Sequence, residues 1–220
     1  MTVELDAAGV VRYLQDHPEF FADHAELLTA LPLASQHGDK AISLAERQLQ
    51  ILRDKLRQLE GKLAELVRFG EENDAISAKV HQLGLALMAA ASIGDTVRAL
   101  YAHLCGAFAV PHVAMRLWDV GASSDAEEFT PVAEATRQRA AGLVHPYCGP
   151  SIGGEAVDWF GEGGEHVRSL AVIPLRRDGR CNGALVLGSE ELRRFFPEMA
   201  TLYLARIGDM SAAAVARSLG

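Results

Sequence analysis

The longest regularity in the pattern of apolar and polar positions is a row of leucines, Leu49, Leu52, Leu56, Leu59, Leu63 and Leu66, spaced alternately three and four. Apolar residues at that spacing lie along one stripe of a helix and make a coiled-coil seam. Ser43 followed three residues later by Glu46 reads as a capping box, in which hydroxyl and carboxylate satisfy two orphan amides at a helix start. Leu, Ala, Glu, Lys, Arg and Gln then dominate and no proline follows until Pro111, so one helix is predicted from Ser43 to about Ala91. With Leu49 at heptad position a, Lys55 falls at g and Glu60 at the following e, an oppositely charged pair across a parallel dimer seam. After Leu66 the pattern restarts one residue early at Phe69, Asn73, Ile76, Val80, Leu83 and Leu87, a stammer that overwinds the supercoil and puts Asn73 on the seam. Gly61 and Gly70 weaken the helix by roughly 1 kcal/mol each. The competing reading of the same stripe is an amphipathic helix packed on its own domain.

On either side the pattern changes. Residues 4–31 read as two short helices: Val10, Val11 and Leu14 form one apolar stripe, His17-Pro18 interrupts it, and Pro18 opens a second helix holding Phe20, Phe21, Leu27 and Leu28. Such a hairpin is too small to stand alone, and Pro32–Lys40 connects it to the long helix. Beyond Gly94 and Asp95, a helix carries Val97, Leu100, Tyr101, Leu104 and Phe108 on one face. His112–Trp118 alternates like a strand with apolar residues at both parities, which predicts a central strand covered on each side. Gly121–Glu128 reads as a surface loop and Phe129–Ala133 as a second strand, while residues 134–166 show little periodicity. Arg168–Arg176 and Gly183–Gly188 flank Asp178-Gly179 as a hairpin, and Pro197 opens a terminal helix with Leu202, Leu204, Ile207 and Met210. An antiparallel sheet flanked by helices is an α+β arrangement. The expected organisation is a helical hairpin and connector over 1–40, a dimerisation helix over 41–91 and one globular domain over 92–220.

Composition narrows the function classes. The chain has 220 residues, 49% of them hydrophobic, enough for one ordinary core plus a helical extension. A net charge of -8 argues against a primary nucleic-acid binder, and Arg176, Arg177 and Arg180 read as a solvated turn. No apolar run is long enough to span a bilayer and the acidic start Met-Thr-Val-Glu-Leu-Asp lacks a signal-peptide pattern, so a cytoplasmic location is expected. Three cysteines, Cys105, Cys148 and Cys181, with no C-x-x-C spacing fit a reducing compartment.

The segment VRYLQDHPEFF from Val11 to Phe21, SLAERQLQILR from Ser43, the pair Cys148-Gly149, and the C-terminal IPL, LGS and RFFPEMATLYL runs together resemble a bacterial family catalogued only as DUF 484. The resemblance covers essentially the whole chain. It implies a GAF-like domain, a small-molecule sensing and dimerisation fold related to PAS, behind an N-terminal coiled coil. It implies no established activity. Genes of this family often neighbour one for a tyrosine recombinase, which points to a possible protein partner. Cyclic-nucleotide-binding GAF members resemble one another in an N-K-x-x-x-F-x-x-x-D-E motif that this sequence lacks. Bilin-binding members carry the attachment cysteine directly before a histidine, whereas Cys148 precedes Gly149.

The residues suited to a site cluster between Arg116 and His166. Arg116, in an otherwise apolar strand, must reach solvent or find an anion: an internal Asp158 or Glu155, or a ligand carboxylate or phosphate. Trp118, Tyr147, Trp159 and Phe160 are aromatic walls for a pocket or ordinary core, and Cys148 is a pocket thiol or a small buried apolar group. The candidate ligand-binding set is therefore Arg116, Trp118, Tyr147, Cys148, Trp159 and Phe160. His145 with Cys148, and His103 with Cys105, have spacings open to metal ligation but lack the tighter spacing of a structural zinc site. Cys148 has no oxyanion-hole motif beside it, and Gly149-Pro-Ser-Ile-Gly-Gly-Glu lacks the spacing of a P-loop. The expected function is a non-enzymatic sensory or regulatory homodimer that binds a small molecule or a protein, without direct nucleic-acid or membrane contact and with no cofactor identified. The alternatives are a ligand-free adaptor for a protein such as a tyrosine recombinase, and a thiol-dependent redox enzyme resembling methionine-sulfoxide-reducing GAF proteins.

Overall fold

A computed structural model describes residues 6–24, 27, 44–121, 125–151 and 153–219. Ser43, and with it the expected capping box, the connector 32–40 and Leu28 lie outside the described residues. The chain divides into two units, Met1–Leu63 and Ala64–Gly220.

The first unit holds α1 (Ala7–Asp16), α2 (Phe20–Asp23) and the start of α3 (Leu44–Ala89). Asp6 caps α1 by accepting the Gly9 amide at 2.8 Å. Helix α2 starts at Phe20, two residues later than Pro18, which sits in the turn. Along α3 the expected helix is continuous. Its leucines Leu49, Leu52, Leu56, Leu59 and Leu63, and Leu66 in the next unit, all stand exposed in the single chain, between 53% and 66%.

The second unit carries the core. The restarted stripe of α3 packs there: Val80, Leu83 and Leu87 are buried and Ile76 lies against them. From Ile76 onward the predicted seam therefore faces its own domain, while Phe69 and Asn73 at its start stay exposed. Next comes α4 (Ile93–Ala102), whose start is fixed by Ser92: its hydroxyl accepts the Asp95 amide and donates to the Asp95 carboxylate, holding that carboxyl below its usual range. Gly94 and Asp95 are thus in the first turn and do not precede it. A π-helical turn, His103–Ala107, ends the helix.

Strand β1 (His112–Leu117) forms where predicted, but it is an edge strand and not a central one, because the sheet order is β1-β4-β3-β2. Apolar residues at both parities report that both faces are covered; they say nothing of how many strands pair alongside. The edge is protected in another way. The Met115 N–H donates to the Tyr101 hydroxyl at 3.0 Å, and the turn Glu127–Phe129 lies against the strand. Burial first, and the Glu128 carboxylate second, push the Tyr101 phenol up from its ordinary value. The strand expected at Phe129–Ala133 is absent: Glu127–Phe129 is a 3-10 turn, and Pro131 lacks the N–H a ladder needs.

The stretch that looked aperiodic contains α5 (Glu134–Gly142), β2 (Tyr147–Pro150), the single turn α6 (Glu155–Asp158) and a 3-10 segment, Gly161–His166. Strands β3 (Ser169–Arg177) and β4 (Arg180–Ser189) make the predicted hairpin. Asp178 and Gly179 both take positive φ, 50° and 78°, as the two central residues of a type I′ turn must. Helix α7 (Leu202–Ser218) begins five residues after Pro197, which sits in a turn where the Met199 N–H donates to the Phe196 carbonyl. The expected α+β class is observed: a four-stranded antiparallel sheet flanked by helices, behind a long helix.

The core lies between one sheet face and α3, α4 and α7. Gly208 lets α7 lie close on β3, since a Cβ there would stand 2.6 Å from Ile173 Cγ2. Arg217 ties the C-terminus of α3 to α7, donating to the carbonyls of Leu87, Met88 and Ala90.

Candidate functional site

Side chains alternate across a strand, so the sheet sends Met115, Leu117, Ile173, Leu175, Leu185 and Leu187 into the helical core and the intervening residues to its other face. On that second face Arg116 of β1 pairs with Ala184 of β4, and Val172 of β3, whose β4 partner is Val186, pairs with Tyr147 of β2. Helix α5 and α6 cover it. Between them is an apolar cavity of about 220 Å³. Its floor is Leu170, Val172 and Ala184, its roof is Ala140 of α5 and Leu143 just after that helix, and Trp159 and Tyr147 form walls.

The structure places the predicted residues unequally. Tyr147 and Trp159 line the cavity. Tyr147 folds back over Gly149, whose missing Cβ makes room for the phenol ring. Arg116, only 8% exposed, lies one layer out, with its guanidinium carbon 5.5 Å from the centre of the Trp159 ring. Its Nη1 donates to the Met115 carbonyl at 3.0 Å, and no carboxylate among the described residues pairs with it, so neither Asp158 nor Glu155 fills that role. Trp118 sits in an adjoining buried cluster with Val132, Ala140 and Ala184, and its indole N–H donates to the Cys181 carbonyl at 2.8 Å. Phe160 belongs to a third cluster with Val157, Val167 and Leu170, its ring over Gly188. Cys148 does not join them, because strand alternation turns it to the opposite face, into the helical core.

Thr136, Arg139, Leu143, Leu170, Val172 and Ala184 line the cavity without having stood out in the sequence. For the strand residues the signal was there: fixing Ala171 and Ile173 inward sends Leu170 and Val172 to the other side. Helix α5 gave no such signal, since polar residues surround its one buried position, Ala140.

Glu155 braces this layer. Its carboxyl is held below the usual range first by a hydrogen bond from the Thr136 hydroxyl and then by the Ala133 N–H, which donates at 2.9 Å. It thereby fixes the start of α5 over the cavity. The glycine-rich run before α6 leads into a helix of one turn. Burial raises all three thiols: Cys148 to about 11, Cys181 and Cys105 upward by the same cause. Among the described residues no group of three or more His, Cys, Asp or Glu could hold a metal ion; His103 Nδ1 is hydrogen-bonded to the Ala99 carbonyl.

A family model described as "Protein of unknown function, DUF484" matches residues 1–218. The chain belongs to this family. A curated relative, the uncharacterised protein YigA of Salmonella typhimurium, is 27% identical over 218 residues, which is 94% of this chain and 89% of the relative. Among solved structures, a free methionine-R-sulfoxide reductase from Neisseria meningitidis, determined with its substrate, is similar at 22% identity and TM-score 0.46, covering 65% of this chain and 91% of that one. The GAF domain of the potassium sensor histidine kinase KdpD from Escherichia coli is similar at 16% identity and TM-score 0.39, with 64% and 94% covered. Among the described residues no helix is long and apolar enough to cross a membrane.

Proposed function

We propose that this DUF484 chain is a non-enzymatic sensory or regulatory module that dimerises through the first half of α3 and binds a small molecule in the cavity over β2, β3 and β4. The observation that carries the reading is the cavity itself: about 220 Å³ of apolar space on the second face of the sheet, walled by Trp159 and Tyr147. The exposed leucine row supports self-association, since soluble monomers seldom leave such a stripe in water. Three free cysteines suit the cytoplasm as its location.

Native mass spectrometry of protein freshly purified from its own host tests this reading. A dimer carrying extra mass is the expected result; a dimer of two bare chains would move the function to an adaptor for a protein partner. The thiol-dependent alternative makes a different demand, a thiol that is ionised near neutral pH. Burial sets Cys148 against it, at about 11. Iodoacetamide at pH 7.5, about the pH of a typical assay buffer, is therefore expected to label Cys148 at least about 100-fold more slowly than a free thiol of ordinary pKa near 8.5. Rapid labelling of that residue in the folded protein would restore the enzyme reading.

A further inference from the structure

The cavity discriminates by charge as well as by size. Resting on the reading of this cavity as a ligand site, we propose that its ligand is a small apolar monoanion, a carboxylate on a single ring or a short branched chain. Three observations converge on that class. The first is size: about 220 Å³ lies below the roughly 300–1,000 Å³ that drug-sized ligands occupy, so a nucleotide or a fused-ring cofactor is too large. The second is the surface: Leu143, Leu170, Val172, Ala184 and the rings of Trp159 and Tyr147 offer little to a strongly polar body.

The third is the balance of charge. Arg139 is the charged residue among those lining the cavity, and no acidic side chain lines it. Behind Trp159, Arg116 adds a second, buried cation with no carboxylate paired to it among the described residues. Two acids adjoin the lining in sequence without entering it: Glu155 beside Ala156, whose Oε1 accepts the Ala133 amide while its buried Oε2 has no partner among the described residues, and the exposed Asp158 beside Trp159. A site walled by apolar groups strengthens electrostatic interactions, so one guanidinium in the lining, a second behind Trp159 and no acidic side chain in the lining favour an anion and disfavour a cation. The ring or branched chain lies on Trp159, Leu170 and Val172, and the carboxylate faces Arg139 at the rim.

Isothermal titration of the full chain with three matched probes tests this: phenylacetate, 2-phenylethanol and phenethylamine, which share one ring and differ in charge. Phenylacetate is expected to bind at least about tenfold more tightly than phenethylamine, with 2-phenylethanol between them. Arg139→Gln, on an exposed helix position that folding does not depend on, is expected to weaken phenylacetate about tenfold and leave 2-phenylethanol unchanged. Equal binding of the anion and the cation, or a phenylacetate affinity indifferent to Arg139→Gln, would overturn the anionic class. Binding of 2-phenylethanol alone would overturn it too while leaving the cavity as a ligand site. If none of the three binds, the proposal falls, and the sensory reading is then decided by the mass of the protein purified from its host.

Discussion

Leu56→Ala combined with Leu63→Ala is expected to turn the protein from a dimer into a monomer and leave the melting temperature of the sheet unit where it was. Both side chains are more than half exposed in the single chain, so truncating them opens no cavity in it. In a parallel dimer each would instead be a knob in the partner's seam, and the double substitution removes four such side chains. At about 2 kcal/mol for each truncated leucine, and 1.4 kcal/mol per factor of ten, the dissociation constant should rise by at least about 10⁴. Sedimentation velocity reads the result as a fall from twice the 23.7 kDa chain mass to that mass. Reversing Lys55 to Glu should weaken the dimer by a smaller amount and make it more salt-sensitive, because Glu60 would then face a like charge. An unchanged mass after the double substitution would remove the coiled coil from the proposed function.

How much of this was legible in the residues follows from what kind of signal each element carries. The long helix and the β3–β4 hairpin announce themselves locally, one through a sustained heptad, the other through Asp178-Gly179 in the turn that demands two positive φ values. The place of β1 in the sheet does not, since only the partner strands decide it, and Tyr101 rather than a fifth strand takes up the amide of Met115. Strand β2 is four residues of Tyr-Cys-Gly-Pro, a composition that reads as loop, and pairing with β3 overrides it. The site follows the same division. Tyr147 and Trp159 could be found as aromatic residues in a glycine-rich stretch. Arg139 could not, because its helix shows no apolar face and reaches the cavity through one alanine and the Glu155 brace. For Cys148 the choice between a pocket thiol and a small buried apolar group needed a parity: once Tyr147 is known to face the cavity, its neighbour must face the core.

After the one-residue restart that follows Leu66, α3 packs on its own unit from Ile76 onward, and Leu83→Ala tests that half of the helix with the opposite expected outcome. Before the restart the apolar stripe points to solvent; after it, Val80, Leu83 and Leu87 point into the sheet unit. A shift of one residue in a heptad rotates the stripe around the helix, which fits a first half left free for the proposed partner chain and a second half turned to its own core. Leu83 is fully buried, and removing its isobutyl group costs the transfer energy plus the cavity left behind, about 2–5 kcal/mol. At roughly 2–4 °C per kcal/mol for a unit of this size, the melting temperature should fall by about 10 °C. The protein should nevertheless stay dimeric below that temperature, since the leucine row from Leu49 to Leu66 is untouched. A Leu83→Ala chain that keeps its melting temperature but dissociates would mean that the seam runs through Leu83, and that the second half of α3 serves the partner and not its own core.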